Sequence, residues 1–433
     1  MNTRVNITGL AYGGKGVGRV GGRVVFVPFT APGDEVDVEI VREKKRFSEG
    51  RVTTIIKPSE DRVPPLCPVF TLCGGCSLQH VRYSQQVLWK EKIFFETLKR
   101  IGGFEEFELE DTLPAPEPFF YRSKARFQVL GERWGFFEAG SKRVVDIESC
   151  PISEPLINSA FKSIRRLFEE RFRRSHTAKT IFSLEIGVGA DALAAASFHL
   201  RGGEKGFPWG AVLEEVEELK GLEVLLHARG GPRARRVFTG GDLNLCYESQ
   251  GIKYLAPLSV FSQVNRAQNG ALIKDLIRYS RLKGGERVLE LFSGAGNFSL
   301  QLAKGGARVL GVEVGGEAVR AARKNAALNA IEPVEFLKAP ASKWLRDNLK
   351  DLETDSPDMV VLDPPRAGDI SAMRGLAEIR PKKIIYLSCS PPTMARDLKV
   401  FAAGGYRITR ARVFDLFPQT YHIEGMVVME LGD

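Results

Sequence analysis

Cys389 stands directly after a short apolar run, Ile384, Ile385, Tyr386 and Leu387, and directly before Pro391 and Pro392. The run reads as a buried strand and residues 393–399 as a helix. In an open parallel sheet, ligands bind just past the carboxyl ends of the strands. A thiol at that point faces a crevice, where a nucleophile is useful. A free cysteine is as commonly a small buried apolar residue, so position alone leaves two even readings and the surroundings decide. Glu424 lies in the last apolar run, residues 421–430, and is a carboxylate that can serve as a base. Taken alone it reads as an exposed edge-strand acid. His422 is two residues away and shares a face with Glu424 if both lie in the strand; a packed or hydrogen-bonded histidine is the plainer reading.

From about residue 261 strands and helices alternate, which implies a parallel sheet. Residues 286–292 form a strand, 293–297 a tight loop with Gly294 and Gly296, and 298–304 the start of a helix. Residues 307–313 form the next strand, and Glu313 falls about twenty residues beyond the loop, the offset at which a carboxylate takes a ribose hydroxyl. Ser299 stands where the third glycine of a pyrophosphate-binding loop belongs. A cofactor without a pyrophosphate, S-adenosylmethionine (SAM), therefore fits better than NAD. Residues 334–338 and 358–363 are further strands, with Asp363 at a carboxyl end before Pro364, Pro365 and Arg366. Residues 406–414 and 421–430 make a final hairpin.

Cys67, Cys73 and Cys76 form a second constellation, the last two a Cys-x-x-Cys pair separated by glycines, and Cys150 is the fourth candidate. Four thiolates suit tetrahedral zinc or an iron–sulfur cluster, and spacing alone slightly favours zinc on frequency. Cys246 reads as core.

Residues 1 to about 60 look like a small β domain with strands at 24–27 and 35–40. Arg42, Lys44, Lys45 and Arg46 form a basic cluster on its hairpin, and short strands with basic loops fit an OB-like barrel that binds RNA. A proline-rich linker, residues 58–68, leads to an amphipathic helix over 84–102, with Val87, Leu88, Phe94, Leu98 and Ile101 on one face. Residues 121–260 mix strands and helices. Residues 154–172 are a helix ending in Arg171, Arg173 and Arg174, and Arg233, Arg235 and Arg236 follow a strand in a loop. These arginines read as a phosphate-contacting surface or as an ordinary solvated face.

The chain has 433 residues and a formal net charge of +9, enough length for two or three domains and an excess suited to a polyanion such as nucleic acid. No run is long and apolar enough to span a bilayer, and the N-terminus lacks a signal-peptide pattern, so a cytoplasmic protein is expected. In a reducing compartment its six cysteines are metal ligands or reactive thiols rather than disulfides.

The first sixty residues resemble a TRAM domain, through the glycine-rich 14–19, 22–28 and 31–34 stretches. Nearly the whole chain resembles the RNA uracil-5-methyltransferase family of RumA/TrmA type. The motifs are Cys67, Cys73, Cys76 and His80 with Cys150; Phe261, Gln263 and Asn265; residues 291–298; Asp363 to Arg366; Ser388 and Cys389 with Thr393, Arg396 and Asp397; and residues 417–424. The resemblance implies an α/β fold: a SAM-dependent, Rossmann-like methyltransferase domain over 261–433, an N-terminal OB-like barrel (TRAM) over 1–60 and a central α+β domain over 61–260. It implies that Cys67, Cys73, Cys76 and Cys150 hold a [4Fe-4S] cluster. Gln263, Phe292, Asn297, Glu313 and Asp363 would line the SAM site, with Cys389 as nucleophile and Glu424 as base. The substrate would be RNA, ribosomal RNA over transfer RNA because the transfer-RNA branch is commonly shorter and lacks the barrel, and the protein a monomer. Ser390, Ser293 and Glu290 stand where the family usually has Asn, Cys and Asp, and none of these changes removes a reacting group. Rival expectations are an amino-group RNA methyltransferase, which needs no cysteine, a non-catalytic RNA binder, and a nicotinamide dehydrogenase.

Overall fold

Val5, Ile7, Val36 and Val38, which alternate with polar residues, meet Val25 and Val27 in one small core, around which a six-stranded sheet bends. Residues 2–203, 206–228 and 234–432 are described by the computed structural model. The basic cluster lies where predicted: Lys44, Lys45 and Arg46 form an exposed turn between the antiparallel strands Glu35–Glu43 and Phe47–Lys57. The barrel packs on helix α1 (Tyr83–Thr97), where a side chain at Gly9 would collide with the Trp89 ring.

Helix α1 departs from expectation. Gln86, Lys90 and Phe94 are its buried residues, whereas Leu88 is exposed and Ile101 lies exposed just beyond its end. The reason is long-range. Lys90 Nζ donates to Asp415 Oδ1 at 2.6 Å and to the Phe417 carbonyl at 3.0 Å, and Gln86 exchanges amide bonds with Gln419. A polar face is buried because its partners are buried with it.

The middle of the chain builds a seven-stranded sheet covered on one face by helix Pro155–Leu167, with Phe127, Phe161, Ile164, Phe168 and Phe198 in the core. Arg235 and Arg236 lie in strand Ala234–Gly241 rather than in a loop, because that segment pairs with Leu219–His227, and Arg236 donates to Glu223 at 2.8 Å. Arg233 falls outside the described residues. Arg171 pairs with Glu215 and Arg173 with Glu132. Cys246 is half-buried in strand Asn244–Ser249, not in the core.

After a two-stranded sheet, Asn244–Ser249 with Ile252–Pro257, comes a sheet of eight strands, numbered here in chain order: β1 (Glu108–Leu113), β2 (Arg287–Leu291), β3 (Arg308–Glu313), β4 (Val334–Lys338), β5 (Met359–Leu362), β6 (Lys383–Ser388), β7 (Tyr406–Phe414) and β8 (Glu424–Leu431). Their spatial order is β4-β3-β2-β5-β6-β8-β7-β1. Strands β2 to β6 are parallel, whereas β8 is inserted antiparallel between β6 and β7. Strand β1 comes from far upstream and extends the edge in parallel with β7. Among the described residues no helix is long and apolar enough to cross a membrane.

Candidate active site

The insertion of β8 builds the site. Parallel strands β5 and β6 run side by side and end at Leu362 and Ser388, so Asp363 and Cys389 emerge together at their carboxyl edge. Strand β8 runs the other way and therefore starts at that same edge, with Gly425 opposite Ser388. Glu424, only 4% exposed, is thereby delivered to the thiol. Burial pushes the Cys389 thiol up to about 11; the Glu424 and Asp363 carboxylates add to the rise, and the Arg366 guanidinium opposes it by charge and hydrogen bonding. Burial raises Glu424 well above the carboxylate range, with Asp363 adding and Arg366 opposing. Burial alone pushes Asp363 up to about 7.

His422 precedes β8, so it does not share a strand face with Glu424. Arg366 Nη2 approaches its ring at 3.0 Å from Nε2. Burial and then the Arg366, Lys90 and Arg122 charges lower His422 to about 3, which keeps the imidazole neutral and able to accept. Helix α2 (Pro391–Ala403) begins just after the thiol, with Ser390 as its cap residue and Ser390 Oγ 2.9 Å from Thr393 Oγ1. The positive end of that helix favours a thiolate, but desolvation outweighs it.

A nucleoside cradle opens one strand away. After β2, Phe292 takes a φ of 64°, and Gly296 a φ of 85° where a side chain would meet Phe336. Glu313, at the end of β3, accepts from the Gly294 amide at 3.1 Å and the Gly315 amide at 2.6 Å. A carboxylate has about four acceptor positions, so capacity remains for a ribose. Carboxylates at two strand ends and a glycine loop that exposes backbone fit a nucleoside bearing a cationic sulfonium. Asn297 does not turn its side chain to this cradle: it forms a reciprocal amide pair with Asn269 at 2.9 and 3.0 Å. Gln263 is half-buried, and nearby Phe261 is exposed. Glu290 is buried beneath the loop, accepts from Ser299 Oγ and is pushed up to about 8 by burial.

Cys67, Cys73, Cys76 and Cys150 line one cavity of about 310 Å³, together with Arg122, Arg126, Thr420 and His422. All six cysteines are free. Burial raises Cys73 to about 11 and Cys76 to about 12, with neighbouring thiols adding to both. Among the described residues no three Cys, His, Asp or Glu side chains converge as the ligands of a single ion. Gln79 Nε2 is buried without a partner, and the Gln79 side chain reaches Cys76. Four thiols around a void, with an orphaned donor beside them, fit an accepting group larger than one ion.

Sequence reasoning passed over Tyr12, Gln86 and Lys90. A polar residue repeating within an apolar helical pattern was the available signal for the latter two.

A family model described as tRNA (uracil-5-)-methyltransferase matches residues 96–431, and a TRAM domain model matches residues 2–53. An uncharacterized RNA methyltransferase of Synechocystis sp. is 34% identical over 98% of this chain and 95% of its own. The 23S rRNA (uracil(1939)-C(5))-methyltransferase RlmD of Neisseria lactamica is 33% identical over 100% of this chain and 97% of its own. Among solved structures, the Pyrococcus abyssi tRNA (uracil-54, C5)-methyltransferase in complex with S-adenosyl-L-homocysteine superposes with a TM-score of 0.77 at 27% identity, covering 98% of this chain and 99% of that one.

Proposed function

The chain belongs to the tRNA (uracil-5-)-methyltransferase family, and on that premise we propose that it methylates carbon 5 of a uridine in ribosomal RNA through a covalent Cys389 adduct. The enzyme is a SAM-dependent RNA (uracil-C5)-methyltransferase with an N-terminal TRAM domain. The names of full-length relatives support ribosomal RNA; the same chemistry on transfer RNA is the alternative that the Pyrococcus neighbour supports.

Carbon 5 of uracil is a poor nucleophile. The Cys389 thiolate adds to carbon 6, and the electron pair moves onto the ring as an enolate, which makes carbon 5 nucleophilic. Gln263, Phe292, Glu313 and Asp363 would hold SAM, with Asn297 bracing the loop, and SAM would supply the electrophilic methyl group for carbon 5, leaving as S-adenosylhomocysteine. Carbon 5 then still carries its proton. Glu424 removes it, the double bond reforms and the cysteine leaves as thiolate. A carboxylate raised by burial is a better acceptor for that proton than an ordinary one. Arg366 offsets negative charge at both Cys389 and Glu424. The target base must leave its stack to reach this recess.

The observation that carries the reading is the antiparallel start of β8 against the end of β6, which delivers Glu424 to Cys389. Mass mapping of methyluridine in total RNA, from cells with and without the protein, tests it. Loss of 5-methyluridine from one ribosomal position is expected; loss from transfer RNA alone would select the alternative, and no loss would overturn the reading.

Cys67, Cys73, Cys76 and Cys150 are proposed to hold a [4Fe-4S] cluster, supported by the shared cavity and the orphaned Gln79 amide. Such a cluster would supply a rigid cross-link beside His422. Anaerobic reconstitution should give about four irons per chain; one zinc per chain would select the other ligand. Residues 1–60, 61–260 and 261–433 are the proposed domains of a monomeric, cytoplasmic enzyme, with β1 crossing from the second to the third.

A further inference from the structure

We infer that Tyr12, carried by the N-terminal barrel, is a positioning residue of the methyl-transfer site, so that the barrel completes the thiol pocket rather than only anchoring RNA. The inference rests on the covalent reading above and adds a residue to it.

The turn that carries Tyr12 is tightly built. The Ala11 amide donates to the Lys15 carbonyl at 2.9 Å and the Gly14 amide to the Ala11 carbonyl at 3.0 Å. Gly14 has a φ of +76°, and a side chain there would stand 2.8 Å from Ser77 Oγ and 3.2 Å from Tyr421 Cβ. The turn is therefore pressed directly against the segment that leads into β8. Ser77 and Leu78 amides in turn both donate to the Gln419 carbonyl at 3.0 Å. From this seat the Tyr12 ring meets Tyr421 edge-on, with centroids 5.8 Å apart at 89°. Tyr421 lies 4.2 Å from His422, ring to ring, and His422 contacts Arg366.

The far end of Tyr12 is at the chemistry. The groups acting on its phenol are Ser390, by hydrogen bonding, and Tyr421, Cys389 and Arg366 through charge. Ser390 follows the nucleophile and caps helix α2. A ring seated edge-on against Tyr421, next to His422 and through it Arg366, limits how the lining of the Cys389 pocket can shift, and a thiol must meet carbon 6 along a narrow line of approach. Burial also raises the phenol, so it stays protonated and adds no charge to a pocket that already holds two carboxylates. Tyr12 as a whole is 37% exposed.

The test uses the full-length enzyme with Tyr12→Phe and Tyr12→Ala. RNA dissociation constants, single-turnover methylation rates at saturating RNA and SAM, and covalent capture of 5-fluorouridine RNA are measured separately. Fluorine at carbon 5 cannot be lost as a proton, so capture reports adduct formation. Tyr12→Phe should slow single turnover and capture by roughly ten-fold, and Tyr12→Ala by on the order of a hundred-fold, the scale of a displaced reacting group. RNA affinity should stay within about two-fold for Tyr12→Phe, which keeps the ring and its packing. Wild-type rates at saturating RNA in both variants, or a loss confined to RNA affinity, would overturn the inference. Wild-type enzyme that captures no fluorouridine RNA would instead sink the covalent reading, and this inference with it.

Discussion

The proton on Cys389 is the most exacting point of the mechanism. Burial, Glu424 and Asp363 hold the thiol near 11, so at about pH 8 only on the order of one molecule in a thousand carries a thiolate. Alkylation by iodoacetamide follows that fraction, and isotope-coded labelling read by peptide mass isolates Cys389 from the other five cysteines. In the free enzyme the logarithm of the rate should climb with unit slope from about pH 7 to about pH 9.5 without a plateau. Glu424→Gln removes a carboxylate whose ionised form disfavours the thiolate, so alkylation at the alkaline end of this range should rise several-fold. It should not reach the rate of a free cysteine, because burial, the largest cause, remains. Arg366→Gln removes the opposing cation and should lower the rate by a similar factor. The two substitutions thus move one observable in opposite directions, which a general loosening of the site cannot do. A plateau below about pH 8.5, or a Glu424→Gln enzyme that alkylates more slowly than wild type, would refute the electrostatic account.

Cys389→Ala should still bind RNA and SAM by calorimetry yet transfer no methyl group, whereas Glu424→Ala should accumulate a protein–RNA adduct that survives a denaturing gel. Lys90→Met leaves the Asp415 carboxylate buried without its ion-pair partner and should cost about 3–5 kcal/mol in denaturant unfolding, with activity falling as the segment before β8 loosens. Glu290, raised from 4.5 to about 8, keeps a proton in the fold that the unfolded chain releases, so it removes stability as pH rises through that window. Thermal unfolding of the apoenzyme should therefore decline less between about pH 5 and pH 8 in Glu290→Gln than in wild type. His80 and His199, each lowered to about 4, act with the opposite sign: they are protonated first in the unfolded chain and should make the fold acid-labile below about pH 6.5.

Much of the parallel sheet was legible because buried parallel strands are short, apolar and bounded by turns. Residues 334–338 and 406–414 are strands with the bounds read from sequence. Strand order was not legible, since no residue in β8 announces that its neighbours are β6 and β7 rather than an open edge. The strand also begins at Glu424, later than its apolar pattern suggests, which moves His422 into the preceding loop. The face of α1 was misread for a related reason. Periodicity counts apolar residues, but this helix buries Lys90 and Gln86 against partners 325 and 333 positions away. Asn297 sits in the expected loop, yet its amide is spent on Asn269, a pairing that only the approach of the preceding helix, Arg266–Ser280, creates.

Those distant partners bear on why the catalytic sheet is joined to the N-terminal part of the chain. The segment from Asp415 to Glu424 presents the proposed base, and it has almost no regular structure of its own. Lys90 holds Asp415 and the Phe417 carbonyl; Tyr121 donates to the Pro418 carbonyl at 3.0 Å; Gln86, Ser77 and Leu78 fix Gln419; and the Gly14 turn abuts Tyr421. Every one of these residues lies in the first 121 positions of the chain. An irregular segment at a buried edge would otherwise leave donors and acceptors unmet and fluctuate among conformers. A transfer that needs a carboxylate aligned on one carbon–hydrogen bond tolerates little of that motion. If Glu424 is the base, these first 121 residues brace it, and substitutions at Gln86 or Lys90 should depress the maximal rate while RNA affinity persists.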